Sequence, residues 1–155
     1  MDLNSPKLYE VSLLPISTVT AAGNIYPKEV IEKAIQDLKL RRGLGSKLYG
    51  ECGTPKHRAG EAINRYNARR ISIAEENIAI SIDTETLEIK NGLLVGKCVP
   101  AGPLGSVIEE LLENNQAQFA MRAINHYDLN HVQLKDPIVA RCDILSFDIV
   151  NVTSN

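Results

Sequence analysis

From Leu48 onward the apolar residues of this chain come in short bursts punctuated by Gly, Pro and Asn, so most of it can fold only as short β-strands. Leu48-Tyr49-Gly50-Glu51, Arg70–Ile73, Asn77–Asp83, Leu87–Lys90, Leu93–Val99, Gln116–Ile124 and Pro137–Val150 all have this character. Asn91-Gly92 joins two of these runs, and that pair suits the positive φ angles of a tight hairpin. Near the start, Lys7–Leu14 reads as a further strand. Pro15 ends it, because a ring nitrogen cannot donate to a ladder, and this places the strand at a sheet edge.

Two segments break the pattern. Val30, Ile31, Ala34, Ile35 and Leu38 recur at helical spacing after Pro27, which predicts a helix over Pro27–Leu40 stopped by Gly43. Ser106 and Glu109 have capping-box spacing before Leu111 and Leu112, which predicts a second, shorter helix. The fold class expected is α+β: a small curled antiparallel-rich sheet or barrel with two helices. With 155 residues, the chain has room for a single domain, since domains commonly run to roughly 100–150 residues.

Lys and Arg number 17 against 19 Asp and Glu, so no global positive field recruits nucleic acid, and any polyanion site must be local. The one local excess lies between Lys56 and Arg70. There Lys56, Arg58, Arg65, Arg69 and Arg70 stand against Glu61 alone, and the low apolar content reads as an exposed loop. That stretch is the candidate site for an anion, a phosphate or a nucleotide; its plain reading is a solvated surface. Apolar runs such as Gly92–Val95 fall far short of the roughly 20 residues of a bilayer span, and Met1-Asp2-Leu3-Asn4 is not a signal sequence, so a soluble cytosolic protein is expected. Cys52, Cys98 and Cys142 are widely spaced, which suggests buried free thiols rather than a disulfide framework. His126 and His131, with Tyr127 and Asp128, lack a further ligand at metal spacing and read as loop or hydrogen-bonding residues, while His57 reads as solvated; no metal and no cofactor are expected.

Five pieces in order resemble the prohead core proteases of large tailed bacteriophages, whose fold is similar to that of the herpesvirus capsid maturation protease. Gly23-Asn24-Ile25-Tyr26-Pro27 resembles the Asn-x-x-Tyr-Pro that leads into the family's first helix. Leu48-Tyr49-Gly50-Glu51-Cys52-Gly53-Thr54-Pro55 resembles Leu-x-Gly-Glu-x-x-His-Pro, with Thr54 in place of the His. Asn77–Ile82 falls where the family carries Val-Ser-His-x-Ile, and the position of its catalytic His reads Ile80. Gly96–Gly105 resembles the strand and Gly-containing turn before the family's second helix. Phe119-Ala120-Met121-Arg122-Ala123 is similar to Val-Ser-Ser-Arg-Gly, which holds the nucleophilic Ser and an oxyanion-side Arg; only Arg122 is retained. The tail, with Asp148-Ile149-Val150, resembles the family's Asp-x-Val ending.

The resemblance spans about Asn24–Val150 and implies a single prohead-protease-like domain across 1–155. It also implies a pairing of Glu51 with Arg122. A serine protease needs a hydroxyl whose proton an imidazole accepts. Ile80, Ala120 and Met121 supply neither, which implies a pseudoenzyme that acts by binding a phage or host protein, in the host cytoplasm or within the prohead or virion. Self-association is compatible with a domain of this size, although no heptad or apolar stripe marks a surface for it. A relocated Ser81–His126 dyad would restore an active endopeptidase, but Ser81 neighbours Ile80 and alternation aims it away from the matched site. Cys52 has only Lys56 near it in sequence to stabilise a thiolate, and reads as a packing residue.

Overall fold

A computed structural model describes residues 7–43, 46–127 and 137–152. His131 and Asp128 lie outside them. The elements run β1 (Tyr9–Pro15), α1 (Lys28–Arg42), β2 (Lys47–Glu51), α2 (Ile63–Arg70), β3 (Ile78–Asp83), β4 (Glu88–Lys90), β5 (Leu93–Pro100), α3 (Glu109–Glu113), β6 (Phe119–Tyr127) and β7 (Val139–Ile149). One antiparallel sheet has the order β1-β5-β3-β2, with β4 beside β5, and β6 and β7 form a separate antiparallel hairpin. The α+β class and the edge position of β1 are as the sequence predicts.

The hairpin lies against both ends of the sheet. Its β7 strand meets β2 through a single parallel bridge, Cys52 to Ile149, and β6 lies against β1 without a ladder. The curled sheet therefore stops short of a closed barrel. The two approach closely at Gly50: a Cβ built there would lie 2.1 Å from the Phe147 carbonyl oxygen and 2.8 Å from Ile80 Cγ1. Only glycine lets the two backbones cross at that distance.

Helix α1 buries Ile31, Ala34, Ile35 and Leu38, the stripe visible in the sequence, and lies across β7. Pro27 is its cap, and Gly43 ends it with φ 81°. Asn91 and Gly92 take φ 52° and 76°, so the β4–β5 hairpin turns as its dipeptide requires.

Three expectations need correction. The basic stretch is not all loop: Ile63–Arg70 forms α2, an eight-residue helix with no buried residue, so it carries no apolar periodicity to read. Its stability comes from polar tethers described below. Arg70–Ile73 is consequently no strand; Arg70 closes the helix and Ile71 caps it. Ser106 is no cap either. It sits inside a 3₁₀ turn, Gly105–Ile108, that leads into α3, and neither helical segment has a side-chain cap bond. The residue before the turn is Leu104, at φ −104° and ψ 10°, so the chain enters the helix without an extended residue whose side chain could cap it.

Candidate binding cleft and buried ion cluster

The crossing of β2 and β7 gathers the residues singled out by the sequence. Ile80 is fully buried, pairs with Gly50 on one side and Pro100 on the other, and fills the space above the glycine. Across the crossing, Met121 pairs with Phe147 and Ala120 with Asp148. Ile80 and Met121 thus flank one crossing from its two sides, and neither presents a group that can accept or donate a proton. Ser81 pairs with Tyr49 and Val99, on the alternate side of β3 from Ile80. His126 stands on β6 with its ring nitrogen 3.0 Å from Arg141 and 3.8 Å from Asp143. Those are its partners among the described residues.

Alternation along β6 and β7 puts Ala120, Arg122, Ser146 and Asp148 on one face. Glu51, arriving from β2, completes a buried cluster there: Glu51, Arg122 and Asp148 are 3%, 4% and 0% exposed. Arg122 Nη2 donates to Glu51 at 2.7 Å and to Asp148 at 3.0 Å, and Nε donates to Asp148 at 3.0 Å. Its remaining nitrogen, Nη1, donates to the carbonyls of Ser72 at 2.7 Å and Arg70 at 3.3 Å. Asp148 also accepts from the Glu51 amide at 3.1 Å and from Ser146 Oγ at 3.1 Å. Burial pushes the Asp148 carboxyl above its ordinary range, against the pull of Arg122. One guanidinium answers two carboxylates, and every nitrogen it has is engaged. Asp148 is the partner that sequence reasoning missed, since a lone carboxylate in a strand reads as solvent-facing; its only signal was the resemblance of the tail.

Glu51 also forms part of the floor of a cleft of about 540 Å³, with Cys52, Gly53 and Asn77 beside it and Val150 and Val152 on one side. Of the basic stretch, Lys56, Arg58 and Arg69 reach this cleft, whereas Arg65 and Arg70 do not. Arg69 is committed: Nε and Nη2 bond Glu61 at 2.8 and 2.7 Å, and Nη2 also donates to the Lys56 carbonyl at 2.6 Å. These bonds hold the Glu61 carboxyl down at about 2. His57 bonds the Glu61 carbonyl at 2.8 Å and meets the Tyr66 ring edge-on at 5.3 Å. Cys52 is buried, and burial pushes its thiol above the ordinary value, which disfavours the thiolate. Burial pushes Cys98 and Cys142 up to about 12. Among the described residues, no three His, Cys, Asp or Glu side chains come together to hold a metal ion, and no helix is long and apolar enough to cross a membrane.

A model of the peptidase S80 family matches residues 4–154. Among solved structures, the capsid assembly protease of bacteriophage T4 is similar in fold, with a TM-score of 0.62 and 19% identity over 92% of this chain and 80% of that one. No curated protein matches the chain.

Proposed function

Because the chain belongs to the peptidase S80 family, we propose that it is a prohead-protease-like protein without peptidase activity, which works by binding another protein. The likeness to a capsid assembly protease favours capsid assembly as the setting. Control of an active relative, or action on a host protein, would use the same property. Fold alone does not fix function, so the weight rests on the site.

The observation that carries this reading is the chemistry of the crossing. Ile80, Ala120 and Met121 occupy the positions matched to base and nucleophile, and Ile80 is packed into the core. Arg122, matched to an oxyanion-side Arg, has no nitrogen left for a developing charge, because Glu51, Asp148 and two carbonyls take them all. Loss of one triad member alone removes several orders of magnitude of rate. Apolar residues in these positions also relieve the cost of burying a hydroxyl and an imidazole.

The test is cleavage of casein and of a scaffold protein that an active prohead protease digests, with fragments read on gels over hours. No fragments above the buffer control are expected, while affinity capture from infected cells retains a partner. Cleavage that disappears in Ser81→Ala or Cys52→Ala would contradict the proposal and establish a relocated nucleophile.

A further inference from the structure

We infer that the turn before α2 and the exposed face of α2 form a contact surface for the phosphate backbone of a nucleic acid duplex. This rests on the placement of charge and does not depend on whether the protein is catalytic.

Elsewhere on the surface four lysines face carboxylates, Lys7 with Glu113, Lys33 with Asp37, Lys47 with Asp83 and Lys90 with Glu10, while Lys28, Lys39 and Lys97 stand apart from one another in sequence. Between residues 56 and 70 the arrangement differs. Glu61 is spent on Arg69 and on the Arg58 amide at 3.1 Å, which leaves the Lys56, Arg58, Arg65 and Arg70 side chains exposed and, among the described residues, outside any ion pair closer than 4.0 Å. Lys56 and Arg58 stand at the cleft rim, whereas Arg65 and Arg70 stand on the helix away from it. The latter two are five positions apart, roughly 7.5 Å of rise and about 140° of turn, so they flank the outer side of the helix. A repeating anion meets charges spread in this way; a single carboxylate does not.

The surface is also held rigid. Arg122 Nη1 fixes the carbonyls of Arg70 and Ser72, and Arg69 ties the helix to Glu61 and to the Lys56 carbonyl. A helix with no buried residue is thus kept in place by polar bonds, with Arg65 and Arg70 exposed on it and Lys56 and Arg58 exposed on the turn before it. The Tyr66 ring is already covered, with the Arg69 and Arg70 guanidinium groups each 5.8 Å from its centroid and His57 against its edge. No aromatic platform is left for an unstacked base, so the surface fits a duplex backbone rather than a single strand. The exposed amide of Asn67 adds a neutral donor on the same helix.

The test is fluorescence anisotropy with a labelled duplex of random sequence at several salt concentrations. Four phosphate contacts predict a slope of log affinity against log salt of about −3 to −4. Reversal at Arg58→Glu, Arg65→Glu and Arg70→Glu should weaken binding by about tenfold or more at low salt, and the milder Arg58→Gln, Arg65→Gln, Arg70→Gln set should flatten the slope to about −1. The same reversals at Lys28, Lys33 and Lys97 should change affinity much less. Circular dichroism confirms folding of each variant. No salt-dependent binding of duplex, an unchanged slope in the Gln set, a preference for single strands, or tighter binding of polyglutamate than of duplex would each overturn the inference, the last in favour of an acidic protein partner.

Discussion

Arg122 is the residue on which the junction between sheet and hairpin turns. It balances Glu51 and Asp148 and reaches through them to the carbonyls that end α2. Removing one partner of such a buried cluster leaves uncompensated charge, so Arg122→Leu is expected to cost about 3–5 kcal/mol in denaturant unfolding. Asp148→Asn keeps an acceptor for the Glu51 amide and should cost markedly less. Its pH profile is informative as well. The Asp148 carboxyl is raised on folding, so the stability it contributes is full below the ordinary carboxyl range and is lost as pH rises through its folded value. Thermal melts should show wild type losing ground to Asp148→Asn as pH rises from about 4; a difference that grew the other way would contradict the assignment. Gly50→Ala tests the crossing itself, since its Cβ would meet the Phe147 carbonyl. Overpacking there should cost about 1–3 kcal/mol or more.

Among the elements, those that bury an apolar stripe were legible and those held by polar bonds were not. Helix α1 and the β4–β5 turn follow directly from Val30–Leu38 and Asn91-Gly92, because the same residues that set the period also fill the core or adopt the positive φ. Gly92→Ala should cost about 1–2 kcal/mol on that account. Helix α2 offers no such stripe, and its register depends on Glu61, Arg69 and Arg122, side chains up to 52 residues from their partners in sequence. Spacing cannot show contacts of that range. Strand β7 misleads in the opposite sense: Arg141 and Asp143 face outward as alternation suggests, while Asp148 is buried because β2 covers that end of the strand. The Arg69–Glu61 tether also sets an acid limit. Its stabilisation is present above the ordinary Glu value of 4.5 and is lost as pH falls towards about 2. Hydrogen exchange should therefore show α2 amides losing protection over that range before α1.

At the scale of the whole molecule, a curled antiparallel sheet with a hairpin laid across it was legible from short strands and their turns, and the failure to close was not. Closure depends on whether β2–β7 and β1–β6 form ladders. The single bridge at Cys52–Ile149 arises from the tight packing at Gly50, which local sequence does not reveal. The family was legible in the order of its short motifs. The role proposed for the site rests on what Ile80, Ala120 and Met121 lack, and this is open to direct chemical measurement. Intact-protein mass spectrometry after incubation with a fluorophosphonate, beside an active prohead protease treated in the same way, reads any activated hydroxyl. This chain should keep its unmodified mass while the active enzyme gains one adduct; a stoichiometric adduct on Ser81 or any other hydroxyl of the folded protein would show an activated nucleophile and overturn the proposed loss of peptidase activity.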